Sequence, residues 1–471
     1  MMTYQETLDY LYSFTDYGSL RTFRYSAETF DLGRMRSLMA ALGNPQEQYP
    51  ILHVAGTKGK GSTSALCANA LTCAGYRTGF YSSPQLQDFC ERIQIDGEPI
   101  ARDDLVSAVA DVRRAVDSVP GLTTFELNTA TAFLYYARQP VDLAVMEVGL
   151  GGRLDATNVI TPLASVITSL SYDHMHLLGN TLAEIAGEKA GIIKPGVPVV
   201  SAPQQPEALE VIQRVAAERG APLTLAGRDW RYAADRHSLN GQSFFLWSAQ
   251  EQRELDRRIE GGDGAEWVPA RFEIPLLGAH QIQNAVVAYA ALNVLRELGV
   301  SIPEGAVREG FRSVRWPGRF EILGLNPTLV ADCAHNGDSA QKLAAALDDY
   351  FPGRRVILLF GASADKDVTS MFEALLPRVY RAVMTQAIHP RALDPDEMAE
   401  TAGRFGVKAE AAAPVSEALE RALALAGPQD VVVAAGSVFV VAEVRAAWAG
   451  LGESATSEAM SAMNDPAGRK Q

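Results

Sequence analysis

The stretch His53 to Ala65, HVAGTKGKGSTSA, sets three glycines around a lysine in the manner of a phosphate-binding loop. The common form, GxxxxGK followed by Ser or Thr, uses its last hydroxyl to hold Mg²⁺. Here Gly59-Lys60 is followed by Gly61, and Val54 stands where the opening glycine of that form would fall. The physical parts are nonetheless present. Gly56, Gly59 and Gly61 let backbone N–H groups crowd around an anion, and a helix N-terminus adds its dipole. Lys60 supplies a point charge for the β and γ phosphates. Taken alone, the motif also fits a lysine-bearing surface turn. Its context decides for a phosphate loop: Ile51 to Val54 reads as a buried strand and Ser62 to Ala74 as a helix closed by Gly75.

The missing hydroxyl is sought at neighbouring strands, because ligands of parallel sheets gather at the carboxyl ends of the strands. TGFYS runs into Ser82-Ser83-Pro84, LAVMEV carries Glu147 as its apolar run ends, and ASVITSL is followed by Asp173-His174. Lys60, Ser83, Glu147 and His174 are therefore expected on one edge of one sheet. A hydroxyl and a carboxylate suit Mg²⁺, and a histidine suits it less. Singly, Ser83 reads as a turn residue, Glu147 as a solvated strand end and His174 as a loop histidine. Their shared topological position is what joins them.

These residues must be held by an α/β scaffold. Short Val- and Ile-rich runs alternate with longer helical patterns, which predicts a mostly parallel sheet. A more polar stretch, Asp229 to Phe272, reads as a β-rich insertion with a hairpin or loop, its charged run DRRIEGGDGAE included. A helix follows at HQIQNAVVAYAALNVLREL. SVRWPGRFEIL reads as a linker, after which α/β alternation restarts as a smaller Rossmann-like unit. The expected division is residues 1–316, residues 317–450 and a disordered tail at 451–471. A length of 471 residues fits more than one core. The net charge of −14 argues against a nucleic-acid or anionic-membrane surface as the main partner. Four cysteines show no metal spacing and read as reduced thiols of a cytoplasmic protein. The N-terminus lacks a signal-peptide pattern, and no apolar run is long enough to span a membrane.

HVAGTKGKGST, SSPQLQDFCERIQIDGEPI, EVGLGGRLDATN, DHMHLLGNTLAEIAGEKAGIIKPG, PGRFE and DCAHN together resemble the folylpolyglutamate synthase and dihydrofolate synthase family of the Mur ligase superfamily. The resemblance runs in order from about Met35 to about Arg445. It implies a Mur-ligase-like P-loop ATPase domain and a Rossmann-like C-terminal domain with the active site between them. It also implies ATP-dependent addition of L-glutamate to a folate or dihydropteroate by a monomer, with ATP and two Mg²⁺ ions. The family's own loop has glycine after its lysine, which accounts for Gly61. By the same resemblance, Gly56, Thr57, Gly59, Lys60, Gly61, Ser62, Asn284, Arg319, Asp332 and His335 contact the nucleotide. Ser83, Glu147 and His174 match its metal ligands, and Phe125, Asp155 and Ala156 match the pterin side. Lys189 matches a lysine that is often carbamylated. Two departures stand out: Gln85 where the family usually has histidine, and Gly337 where it usually has proline.

Lys189 also has a reading of its own. Thr181 and Glu184 form a capping-box pattern, so a helix should start there and end near Gly191 to Pro195. Lys189 falls on the face shared by Leu182, Ile185, Ala186 and Ile193, with no acidic residue three or four places away. Such a lysine must snorkel, lose its proton or be modified. Lys60, Lys189 and His174 are the expected catalytic set. The base for the glutamate amine stays open, His176 reading first as an ordinary loop histidine. Two other functions fit the residues: a Mur-type amide ligase acting on a nucleotide-linked peptide precursor, and a nucleotide-binding module without ligase chemistry.

Overall fold

The computed structural model describes residues 2–15, 31–260 and 267–463. The chain forms two compact units, Met1–Trp316 and Pro317–Gln471.

The first unit is built on eight strands: β1 (Ile51–Ala55), β2 (Thr78–Tyr81), β3 (Ile93–Ile95), β4 (Glu98–Pro99), β5 (Leu143–Glu147), β6 (Ala164–Ile167), β7 (Val199–Ser201) and β8 (Leu223–Leu225). Their order is β4-β3-β2-β5-β1-β6-β7-β8, parallel from β2 to β8, with β3 and β4 antiparallel at one edge. β1 is central and buried along its whole length, as a strand covered on both faces must be. Leu52 and Val54 face a core with Leu66, Val286 and Phe244. Ile51 faces a second core with Tyr81, Met146 and Phe133. Helices Lys60–Cys73 and Ala279–Glu297 supply the first layer, and Arg102–Val116 with Thr124–Arg138 the second.

The insertion is a three-stranded sheet of β9 (Trp230–Ser238), β10 (Gly241–Ser248) and β11 (Ala270–Ile274), ordered β11-β10-β9. Its hairpin matches expectation. The charged run departs from it: Asp256 to Glu260 belong to a helix, Ala249–Glu260. That helix buries none of its residues, and Leu255 and Ile259 leave only a short apolar pattern to read. Residues 261–266 lie outside the described residues.

The second unit carries β12 (Glu321–Gly324), β13 (Thr328–Ala331), β14 (Val356–Phe360), β15 (Val379–Met384), β16 (Lys408–Ala411) and β17 (Val431–Ala435). The order β12-β13-β17-β14-β15-β16 is parallel from β13 onward. The linker read at Arg315 to Leu323 ends inside β12. A helix, Val438–Met463, extends through much of the stretch expected to be a disordered tail; residues 464–471 lie outside the described residues. Among the described residues, no helix is long and apolar enough to cross a membrane.

Candidate active site

The loop after β1 leads directly into the helix Lys60–Cys73, so Lys60 is its first residue. Gly59 caps that helix in the left-handed region at φ 85°, and a Cβ there would come 2.2 Å from Asn284 Oδ1. Gly56, at φ 153°, has Thr168 Oγ1 1.8 Å from where its Cβ would stand. The loop's tight path therefore excludes a side chain at both positions. Asn284, on the helix Ala279–Glu297, lies against this loop and donates from Nδ2 to Gln281 Oε1 (2.9 Å). Ser62 is buried in the first turn of the loop's helix, and Thr57 Oγ1 donates to the Ser171 carbonyl at 3.2 Å.

β1 lies between β5 and β6, and the register aligns Val54 with Glu147 and Ala55 with Ile167. Glu147, the last residue of β5, is thereby buried beside the loop, with Lys60 Nζ 3.9 Å from its Oε1. β2 pairs with β5 so that Tyr81 aligns with Met146, which puts Ser82-Ser83 beyond the same edge. The chain after β6 is tied to the loop: the N–H groups of Thr57 and Lys58 both donate to the Ser169 carbonyl at 3.0 Å. His174 follows that tie, in the left-handed region at φ 50°, with its Nε2 3.9 Å from Asp173 Oδ1. The hydroxyl of Ser83 and the carboxylate of Glu147 are hard oxygen donors of the kind Mg²⁺ takes. The side chain of His176 lies outside the described residues.

One residue that the motif reading left without a role belongs to this edge. Lys58 Nζ donates to Asp173 Oδ2 at 2.9 Å, and both side chains are largely shielded from water. The pair joins the phosphate loop to the residue before His174. Nothing local in the sequence marks it, since the partners stand 115 residues apart.

Lys189 lies in the helix Leu182–Ala190, where Thr181 and Glu184 form the expected capping box. It does not snorkel: it is 4% exposed, and burial, with Lys60 as the second cause, brings its pKa down to about 7. Asp173 and Asp155 oppose that shift. A neutral amine is thus accessible near neutral pH.

Asp155 is 3% exposed and turned inward. Its Oδ2 accepts from Leu150 N–H at 2.9 Å, and its Oδ1 from Thr157 N–H at 3.0 Å. Burial is the largest influence on its carboxyl and raises its pKa, while these hydrogen bonds oppose it. Ala156 is buried beside it. The Phe125 ring covers Gly149, where a Cβ would come 2.4 Å from Cζ, and sits 6.4 Å from the Tyr81 ring. Of the two departures, Gln85 accepts from Arg92 Nε at 2.5 Å, and Gly337 opens a helix capped by Asn336 and Ser339.

On the second unit, Asp332 follows β13. Its carboxylate accepts from the N–H groups of Phe320 and Ala334, both at 2.8 Å. Burial pushes the Asp332 carboxyl up, and the Arg319 guanidinium opposes the shift. His335 Nδ1 lies 2.8 Å from the Cys333 carbonyl. Arg319, Asp332 and His335 are thus gathered around the end of one strand.

Two family models match the chain: Mur ligase middle domain over residues 54–292, and Mur ligase, glutamate ligase domain over residues 318–438. The dihydrofolate synthase/folylpolyglutamate synthase of Bacillus subtilis is 34% identical over 443 residues, covering 92% of this chain and 99% of that protein. A probable bifunctional folylpolyglutamate synthase/dihydropteroate synthase of Haloferax volcanii is 38% identical over 95% of this chain, which spans about half (51%) of its length. The solved structure of E. coli FolC in complex with DHPP and ADP aligns at a TM-score of 0.81 and 29% identity, covering 96% of this chain and 99% of that one. The chain belongs to the folylpolyglutamate synthase and dihydrofolate synthase family of the Mur ligase superfamily.

Proposed function

We propose that the chain is an ATP-dependent ligase that joins L-glutamate to dihydropteroate, to a reduced folate, or to both. The observation that carries this reading is the placement of Lys60 and Glu147 at the mouth of one phosphate loop, on a chain whose relatives bear that activity in their names. A carboxylate is a poor electrophile, so the acceptor's carboxyl group is first phosphorylated by ATP, releasing ADP. Lys60 and the loop N–H groups neutralise charge on the transferring phosphoryl group. Ser83 and Glu147, with His174 from the loop after β6, would hold Mg²⁺, which adds positive charge at the phosphates when bound. The glutamate amine then attacks the acyl carbon, the C–O bond to phosphate breaks, and the amine gives up a proton as the amide forms. Asn284 and, on the second unit, Arg319, Asp332 and His335 are assigned to nucleotide contact. Phe125 and Ala156 are assigned to the acceptor's ring system. Lys189 is assigned a carbamate, an anion formed from its neutral amine and CO₂.

The test supplies ATP and labelled glutamate with dihydropteroate or a reduced folate in separate reactions. The expected result is acceptor-dependent ADP release matched by label in the acceptor. Nucleotide binding without turnover on either acceptor would contradict the reading, as would turnover confined to a nucleotide-linked peptide precursor.

A further inference from the structure

Behind the site runs a buried polar chain that the chemistry above does not use. His53, on β1, points away from the phosphate-loop layer and is fully buried. Its Nε2 lies 2.8 Å from Thr157 Oγ1, and Thr157 Oγ1 lies 2.5 Å from Asp155 Oδ1. The directions follow from the donor inventory. Asp155 accepts amide hydrogens on both oxygens, as a carboxylate does, so the single hydroxyl hydrogen of Thr157 goes to Oδ1. Thr157 Oγ1 must then accept from His53, which places the imidazole proton on Nε2. The other nitrogen, Nδ1, is buried without a hydrogen-bond partner, as suits a neutral ring held by one bond.

The carboxylate at the end of this chain organises the loop 149–155 that leaves β5 just after Glu147. Leu150 is drawn to Asp155 Oδ2, and Gly149 supports the Phe125 ring. The loop's far side is anchored to the helix of Lys189. Arg153 N–H donates to the Glu188 carbonyl at 2.8 Å, and Asn158 Nδ2 donates to the Arg153 carbonyl at 3.0 Å and the Gly191 carbonyl at 3.2 Å.

We propose that His53 and Thr157 are positioning residues which, through Asp155, hold the loop 149–155 in the shape that binding of the pteridine acceptor requires. The acceptor's identity rests on the function proposed above; the loop's dependence on His53 and Thr157 does not. A buried carboxylate deprived of its hydroxyl partner is left with an under-satisfied oxygen, and that cost weakens the turn it gathers.

Two substitutions remove the chain at nearly constant shape, Thr157→Val and His53→Leu. Two retain a donor or acceptor, Thr157→Ser and His53→Gln. Deuterium exchange of the peptides spanning 149–155 is measured in all four full-length variants without substrate. The removing pair should exchange there about tenfold faster, the loop having lost one bond's worth of protection, with the peptides of the helix Ala279–Glu297 unchanged. The retaining pair should match the parent. In steady-state assays the removing pair should raise KM for the acceptor about tenfold and leave KM for ATP within about twofold. Unchanged exchange at 149–155 in a folded Thr157→Val protein overturns the proposal, and so does an equal rise in both KM values. A parent inactive on either acceptor overturns the function proposed above, while the exchange result still decides whether the chain holds the loop.

Discussion

Lys60 Nζ stands 3.9 Å from Glu147 Oε1, joining the first residue of the phosphate-loop helix to the last residue of the neighbouring strand. The register that aligns Val54 with Glu147 sets the end of β5 beside the strand that leads into the loop, which brings the two side chains within reach of each other. A cation and a buried carboxylate thus share one strand edge.

Lys60→Ala should lower ATP turnover by about 10² to 10³, the loss typical of removing one group that stabilises developing charge. The side chain lies at a helix start and not in the apolar core, so circular dichroism and the thermal midpoint should stay close to the parent. Acceptor-dependent ADP release near the parent rate would show that the loop is not the phosphate site.

Glu147→Gln should shift the Mg²⁺ concentration for half-maximal rate upward by about tenfold or more, since the amide keeps the shape but loses the charge that holds a hard cation. Acceptor KM at saturating Mg²⁺ should move less. Titrating Mg²⁺ against initial rate reads this directly, and an unmoved midpoint would leave Glu147 as a strand-end carboxylate only.

Lys189→Ala should lose activity and regain part of it when a short carboxylic acid is added, because a diffusible carboxylate can stand in for the carbamate. Full activity in the unsupplemented variant would exclude the anionic role.

His53 is neutral in the fold: burial, helped by Lys194, brings its pKa down to about 3. The unfolded chain binds a proton there below its ordinary value of 6.5, so this group makes stability fall as pH drops from about 6.5 towards 3. His53→Gln removes that titration. Urea unfolding across this range should therefore show a shallower acid loss for the variant, with a difference of a few kcal/mol at the acid end. Parallel pH profiles would show that His53 is not buried neutral.

Much of this edge is legible from local pattern. β1, the glycine-rich turn and the following helix announce themselves by run length and composition, and Thr181 with Glu184 announces the helix of Lys189. The strand ends at Ser83, Glu147 and His174 could be aligned because a parallel sheet has one ligand-bearing edge. The sequence left Lys189 between snorkelling and burial, since the layer above a helix face is not written in that helix. Lys58 with Asp173, and His53 with Thr157, are contacts across more than 100 residues, and no spacing rule reaches them. The helix Ala249–Glu260 escaped for another reason. Its apolar residues are few, with Leu255 and Ile259 one turn apart, and it is held in part by i,i+4 bonds such as Gln250 to Glu254, so the pattern that marks a packed helix is short.

The most direct test of the account follows an oxygen atom. An acceptor labelled with ¹⁸O in its carboxyl group is incubated with ATP, Mg²⁺ and L-glutamate, and the released inorganic phosphate is analysed by mass spectrometry. The account predicts one ¹⁸O atom in each phosphate released, because the acceptor's carboxyl oxygen leaves with the phosphoryl group when the amide forms. Amide formation with unlabelled phosphate would contradict it.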